Sequence, residues 1–386
     1  MKTKQRVKLA AALIAVGAFC LLAEAVSFVA LKYVPIIRHY TYTPPEFSRE
    51  EFDSYMKTRN PILGWPSSDW IKTFADENGA RNSPANQELN SDRPCVSIYG
   101  DSFAFAQEVS DEDAWGNVMA RNMECRVDNY GIGGFGTDQA YLRFLGHVES
   151  GHPVAPKVVL TIYPDNLNRN MNQWRYLRGS HPFAFKPAYF SGKNGVELDP
   201  IFSGDYEDAM ALTLDPAVHL RAETYAPGAP GFSRPVAQSF PYSITLSSVL
   251  IDLAKTYRGG APEGYSFLSN YPGYFDNRSG MSQDKQVVAK FIFSEFDATC
   301  EMYGLECYVL HIPDAEMIHQ ILSTGSNDVD VLLQSIGLSA TVISATDMFD
   351  SLSSICASLS RPSECGGHFS VDGYDQLAKF VEAKLN

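Results

Sequence analysis

Positive charge is what this chain most lacks. It carries 31 Lys and Arg against 45 Asp and Glu, for a net charge of −14. The net charge is unevenly spread: at the start Lys2, Lys4, Arg6, Lys8, Lys32 and Arg38 face only Glu24. Residues 1–38 are therefore net +5, and the rest of the chain is net −19. So acidic a body argues against nucleic acid and anionic lipid headgroups as partners, since both select basic surfaces. Cysteine is sparse as well, at 7 residues, and no spacing among them resembles a zinc site. No internal repeat is present, which excludes a stacked-repeat architecture. Apolar residues are not lacking: they make up 45% of 386 residues, including 23 Phe and 20 Tyr, enough for a sizeable core. The length fits one large domain or two ordinary ones.

Long apolar runs are rare, and the one exception is a location signal. Leu9 to Leu31 is broken only by Glu24 and Ser27 and follows the basic tip. About 20 apolar residues span a bilayer, and flanking positive charge places the tip in the cytoplasm. A cleavable signal peptide is the competing reading, with Ala23-Glu24-Ala25 as the small-residue cleavage site. Apolar residues continue through Val26, Phe28, Val29 and Leu31, which favours an uncleaved anchor. On either reading the body is exported. The expectation is a single-pass inner-membrane protein with a cytoplasmic N-terminus and a periplasmic body. Cysteine use agrees. Cys20 lies in the apolar run, and Cys95, Cys125, Cys300, Cys307, Cys356 and Cys365 remain. An even number in an oxidising compartment suggests disulfides. Short separations suggest Cys300–Cys307 and Cys356–Cys365, and Cys95 and Cys125 would then join the starts of two neighbouring strands. Buried free thiols are the alternative.

Residues 39–90 are rich in Pro, Asn, Ser and charge, and read as a membrane-proximal segment, loop-like apart from a helix near Ser48–Thr58. Beyond them the pattern becomes regular. Strands are expected at 95–99, Cys125–Tyr130, Lys157–Ile162 and Cys307–Ile312, with a weaker one at Ala340–Ser344. Helices are expected at 111–122, Thr137–Glu149, Ser282–Tyr303 and from near Ser370 to the end. In the last, Tyr374, Leu377, Ala378, Val381 and Leu385 form one apolar face. Alternating strands and helices argue a parallel sheet covered on both faces, an α/β fold. Residues 171–281 interrupt the alternation with Pro, Gly and aromatics, and are too long for a plain loop. They read as an insertion or subdomain. Within them Asn277-Arg278-Ser279 matches a glycosylation acceptor by pattern alone.

Four short stretches carry candidate chemistry. The first is Cys95 to Phe105, where a β-branched run breaks at Gly100 and Ser102 follows. A serine just past the carboxyl end of a strand stands where open α/β sheets build their sites. Gly-Asp-Ser is also a common turn tripeptide. Ser110-Asp111-Glu112-Asp113, next along, reads as a capping box for the following helix. The second stretch, Gly131 to Gly136, fits a dinucleotide fingerprint. It follows the second strand rather than the first, however, and an exported body is a poor home for a nicotinamide enzyme. Its glycines serve a tight turn, or turn an amide into the cleft of Ser102. The third strand ends in Tyr163-Pro164-Asp165-Asn166, where an Asn side chain can donate to a developing oxyanion or simply shape an Asx turn. The fourth stretch, Gly366-Gly367-His368, leads into the last helix. A lone loop histidine is usually just exposed, but a serine nucleophile needs a base of near-neutral pKa.

In this order the four stretches resemble the SGNH (GDSL-type) hydrolases, over about 95–170 and 285–386. The resemblance implies a three-layer α/β/α domain over 91–386 with an insertion at about 171–281, preceded by the anchor (1–38) and the membrane-proximal segment (39–90). It implies Ser102 as nucleophile, His368 as base, and an oxyanion hole from the Ser102 and Gly134 amides with the Asn166 side chain. No cofactor and no metal are implied. A narrower likeness runs from Pro164 through Asn166, Arg169 and Asn172 to Arg175, with Gly134-Phe135-Gly136-Thr137-Asp138-Gln139 and Ile312-Pro313-Asp314. It is similar to membrane-anchored SGNH proteins linked to bacterial polysaccharide modification. That implies an exported polysaccharide as substrate, polysaccharide-assembly proteins as partners, and an O-acetyl esterase or O-acetyltransferase activity.

Two departures matter. The family places an Asp three residues before the His, and here that position is Cys365. The orienting group would be Glu364, a backbone carbonyl, or nothing, leaving a Ser–His dyad. The usual Gly-x-Asn-Asp block reads Tyr163-Pro164-Asp165-Asn166, so Asn166 as donor is a choice of register. Asp165, if ionised, has no proton to donate. The rival class is a non-catalytic glycan-binding or assembly protein on a decayed scaffold.

Overall fold

Parallel strands cannot be joined by tight hairpins, so each pair needs a crossover, and helices supply it here. The computed structural model describes all residues except 1, 35–36, 38–40, 90, 92, 179, 227–235, 238–239, 259–281 and 386. The Asn277 acceptor pattern lies outside the described residues. Helix α1 (Lys2–Tyr33) is followed by α2 (Arg49–Thr58), whose N-terminus Ser48 and Glu51 close as a capping box. The body then runs β1 (Val96–Tyr99), α3 (Ser102–Phe105), α4 (Trp115–Met123), β2 (Val127–Asn129), α5 (Thr137–Ser150), β3 (Lys157–Ile162) and α6 (Pro164–Arg169). After a hairpin of β4 (Ala188–Gly192) and β5 (Gly195–Asp199) come α7 (Tyr242–Arg258), α8 (Gln283–Tyr303), β6 (Glu306–His311) and β7 (Thr341–Ser344). A second hairpin, β8 (Leu359–Arg361) and β9 (Gly366–Phe369), leads into α9 (Val371–Leu385).

The central sheet has five parallel strands in the order β2-β1-β3-β6-β7. The expected α/β class with a helix-covered parallel sheet is what the chain adopts. Strand side chains alternate between two cores. Val158, Leu160 and Ile162 of β3 join Phe144 of α5 and Phe293 and Phe296 of α8 on one face. Val159 joins Trp115 of α4 and Tyr374, Leu377 and Val381 of α9 on the other. Burial on both faces is why β3 reads as a near-continuous apolar run. The chain leaves β1 in one direction and β3 in the other, so the crevice between their carboxyl ends is the sheet's switch point, where such folds bind ligands.

The segment before β1 packs on this body. Asn86 bonds both the N–H (3.0 Å) and C=O (2.9 Å) of Val127, and the Arg81 amide bonds Asn129 O at 2.8 Å. These contacts occupy the outer edge of β2 that would otherwise stand open. Another expectation needs correcting. The helix expected from 111 begins at Trp115, because Ser110 Oγ bonds the Asp113 carboxylate at 2.7 Å and Asp111 is held by Arg81 Nε at 2.8 Å. The expected capping box is consumed before the helix starts.

Within the insertion, α7 packs on α1. Glu24, the one acid of the apolar run, accepts from Tyr242 N at 2.6 Å and from the Ser243 hydroxyl. Over Ala11–Tyr33, α1 is long and apolar enough to cross a membrane.

The cysteines pair as Cys95–Cys125, Cys300–Cys307 and Cys356–Cys365. The first, the pair left once the two short loops were assigned, joins the starts of β1 and β2. Cys20 is the free cysteine among the described residues. Alkylation of denatured, unreduced protein should therefore modify Cys20 alone by intact-mass analysis, and all 7 cysteines after reduction. A second thiol labelled before reduction would contradict the pairing.

Candidate active site

Everything at the switch point hangs on the turn after β1. Asp101, 1% exposed, caps α3 by accepting from the Phe103 amide at 2.9 Å. Ser102 is the first residue of that helix, so its own amide has no acceptor inside the helix. Trp115 Nε1 and Asn129 Nδ2 both donate to Ala104 O, at 2.8 and 2.7 Å, and pin the short helix to its neighbours. Ser102 is buried, with 5% exposure.

The glycine loop after β2 runs against α3. A Cβ on Gly131 would stand 2.4 Å from Phe105 N, so only glycine permits this approach. Gly134 adopts φ +80°, and Trp65 covers it, donating its indole N–H to Gly133 O at 3.0 Å. The loop that the sequence offered as an amide donor thus lies against Ala104 and Phe105 of α3, and Trp65 from before β1 covers it. A cleft of about 780 Å³ opens there, lined by Trp65, Trp70, Tyr55, Phe183, Arg59, Arg175 and His181 together with Gly133 and Gly134. Neither Ser102 nor His368 lines it.

Asn166 comes to the site but in a different capacity from the one expected. Its Oδ1 accepts from Tyr163 N at 2.7 Å, and Nδ2 donates to Asp101 at 2.9 Å and to Phe135 O at 3.2 Å. An amide nitrogen carries two hydrogens, and both are committed. Asn166 therefore ties the turn after β3 to the turn after β1, and has no hydrogen left for an oxyanion. Arg169 shares the task, bonding Asp101 at 3.1 Å and Asp165 at 2.8 Å. Asp165 also pairs with Arg178 at 2.8 Å. Burial pushes its carboxyl up, but Arg178, Arg169 and Arg175 together hold it well below the usual carboxylate range. Asp165 is ionised and cannot donate.

His368 arrives on β9, which the Cys356–Cys365 disulfide and the buried Phe369 fix to the body. Its ring packs 4.8 Å from that of Phe103, the residue after Ser102. Phe103 in turn stacks on Tyr163 at 4.3 Å, so one ring spaces the base from the β3 turn. The carboxylate at His368 is Glu108, not Glu364. Glu108 Oε1 lies 3.1 Å from Nδ1, while Glu364 pairs with Arg361 at 3.2 Å on the surface. Glu108 also accepts from the Ser360 hydroxyl. Partial burial pushes its carboxyl up, and the hydrogen bonds from Ser360 and His368 outweigh that, leaving it below its ordinary value. Sequence reasoning missed Glu108 entirely. No local pattern marks it, and its partner lies 260 positions away.

No family model matches the chain, and no curated protein does either. Among solved structures, one match is a protein from Desulfitobacterium hafniense DCB-2 assigned to the lipolytic G-D-S-L family. It is 9% identical, covers 75% of this chain and 97% of its own, and superposes with a TM-score of 0.32. A likeness this distant carries no weight for activity, and the case for activity rests on the residues themselves.

Proposed function

We propose that this protein is a membrane-anchored serine acyl-ester enzyme of the SGNH type, acting on an exported carbohydrate. One observation carries the reading: the first residue of α3, Ser102, and the ring of His368, packed on the adjoining Phe103, share the switch point of a parallel sheet. In this scheme Ser102 Oγ attacks the ester carbonyl carbon while His368 Nε2 takes its proton. The Nδ1 edge faces Glu108, which leaves Nε2 for that transfer. The oxyanion meets the backbone amides of Ser102 and Gly134. Collapse expels the alcohol, which takes the proton back from His368, and leaves an acyl-serine. Water then releases the acid, or a sugar hydroxyl takes the acyl group.

The carbohydrate part of the reading rests on the cleft beside Gly134. Trp65, Trp70 and Tyr55 offer rings with an apolar face and a polar edge, and Arg59 and Arg175 supply donors between them. A volume of about 780 Å³ suits a short saccharide. The non-catalytic alternative drew its support from the missing acid before His368; the Glu108 carboxylate 3.1 Å from Nδ1 supports the catalytic reading instead.

The full-length protein in detergent, given an acetyl donor with and without acceptor glycan, should release acetate or yield acetylated glycan. A serine-reactive fluorophosphonate should label Ser102, as located by peptide mass spectrometry. Absence of both the label and any acyl transfer would replace this reading with a glycan-binding one.

A further inference from the structure

We propose that Glu108 is the carboxylate that orients His368, and that Arg81, from the membrane-proximal segment, is the positioning residue that holds Glu108 in place. The inference rests on the serine-enzyme reading for its kinetic consequence, but its structural part stands independently.

The loop between α3 and α4 has no regular structure to fix it, and it carries two left-handed residues, Ala106 at φ 62° and Glu108 at φ 75°. Neither is glycine, so each is held by its surroundings. Arg81 supplies them. Its guanidinium, 5% exposed, donates to Phe105 O, to Ala106 O at 2.6 Å and to Val109 O at 2.8 Å, and pairs with Asp111 at 2.8 Å. It also lies over the Phe105 ring at 4.5 Å. One side chain thus grips the loop on both sides of Glu108, and only a planar fork of five donors reaches so many acceptors at once. From this loop Glu108 Oε1 meets His368 Nδ1 at 3.1 Å, off the straight hydrogen-bond line, and Oε2 faces the His368 amide at 3.5 Å. Such contacts tighten when substrate closes a site. A carboxylate at Nδ1 fixes the tautomer that leaves Nε2 free as base and stabilises the imidazolium. The other charged or titratable groups nearby are Arg361 and Glu364, which pair with each other, and Asp101 and Tyr374.

Glu108→Gln keeps the size and removes the charge. It should lower kcat for ester hydrolysis by about a hundredfold to ten-thousandfold with KM little changed. Glu108→Asp should recover part of the rate. Arg81→Lys should lower kcat about tenfold or more at unchanged KM, while Glu364→Gln should match wild type. A second measurement needs no activity: the rate of His368 modification by diethylpyrocarbonate at fixed pH, followed by peptide mass spectrometry on the full-length protein. Because Glu108 stands against the Nδ1 edge, that rate should differ from wild type in Glu108→Gln. A Glu108→Gln protein with wild-type kcat and a wild-type modification rate would overturn the assignment. If Ser102→Ala retains activity but the modification rate still changes in Glu108→Gln, the pair stands and the serine reading falls.

Discussion

Ser102→Ala is expected to lower acyl-ester hydrolysis by about a thousandfold or more and to leave thermal unfolding unchanged. A thousandfold corresponds to about 4 kcal/mol of transition-state stabilisation. A loss of that size is more than the removal of one hydrogen bond would give, since these contribute about 1 kcal/mol net. It would mark the loss of a covalent path. The structural cost should be small because the α3 turn is held by Asp101, Asn166, Trp115 and Asn129, none of which uses the Ser102 hydroxyl. The residual rate would come from the two amides and substrate binding. Steady-state hydrolysis of a small acetyl ester, with differential scanning calorimetry on the same samples, separates the two effects. Equal rates in both proteins would end the catalytic reading, and a matching fall in melting temperature would make the loss a folding effect.

The largest effect on stability belongs to a pair far from any solvent. Lys186 and Asp138 are both fully buried and bonded to each other, with Pro187 O accepting a second Lys186 hydrogen at 2.9 Å. Burial pushes the Asp138 carboxyl up and the Lys186 amine down, against their mutual attraction. Lys186→Met fills similar space but leaves a carboxylate at the start of α5 without its counter-charge. It should cost about 3–5 kcal/mol in denaturant unfolding, against about 0–1 kcal/mol for an exposed pair such as Lys379–Asp375. Adding Asp138→Asn should recover much of the loss, because the orphaned charge goes with it. Two additive single costs would instead show that the groups do not act as a pair.

How much of this was legible follows from sequence distance. The sheet showed because apolar runs buried on both faces need no distant partner to be recognised. In β3, Val158, Val159, Leu160 and Ile162 are interrupted only by Thr161. The disulfides showed because two of them close short loops. Ser102 and His368 could be singled out because a strand end and a helix start mark them locally. Glu108 did not, because its role is conferred by Arg81 from before β1 and His368 from after β8. Asn166 was expected to donate to an oxyanion, and its amide hydrogens go to Asp101 and the Phe135 carbonyl. Which way an amide hydrogen points depends on Asp101 and the Phe135 carbonyl, and no pattern in the third stretch encodes either.

Glu24 fixes a dimension. Tyr33 lies nine residue steps further along the helix, a rise of about 14 Å. The start of α7 is bonded to it, so a bilayer covering Ala11–Tyr33 also reaches Tyr242. Phe240, Ile244, Leu250 and Ile251, all exposed, would then face hydrocarbon instead of water. In such a bilayer the depth of α7 would follow the level of Glu24, since its first two residues are bonded to that carboxylate.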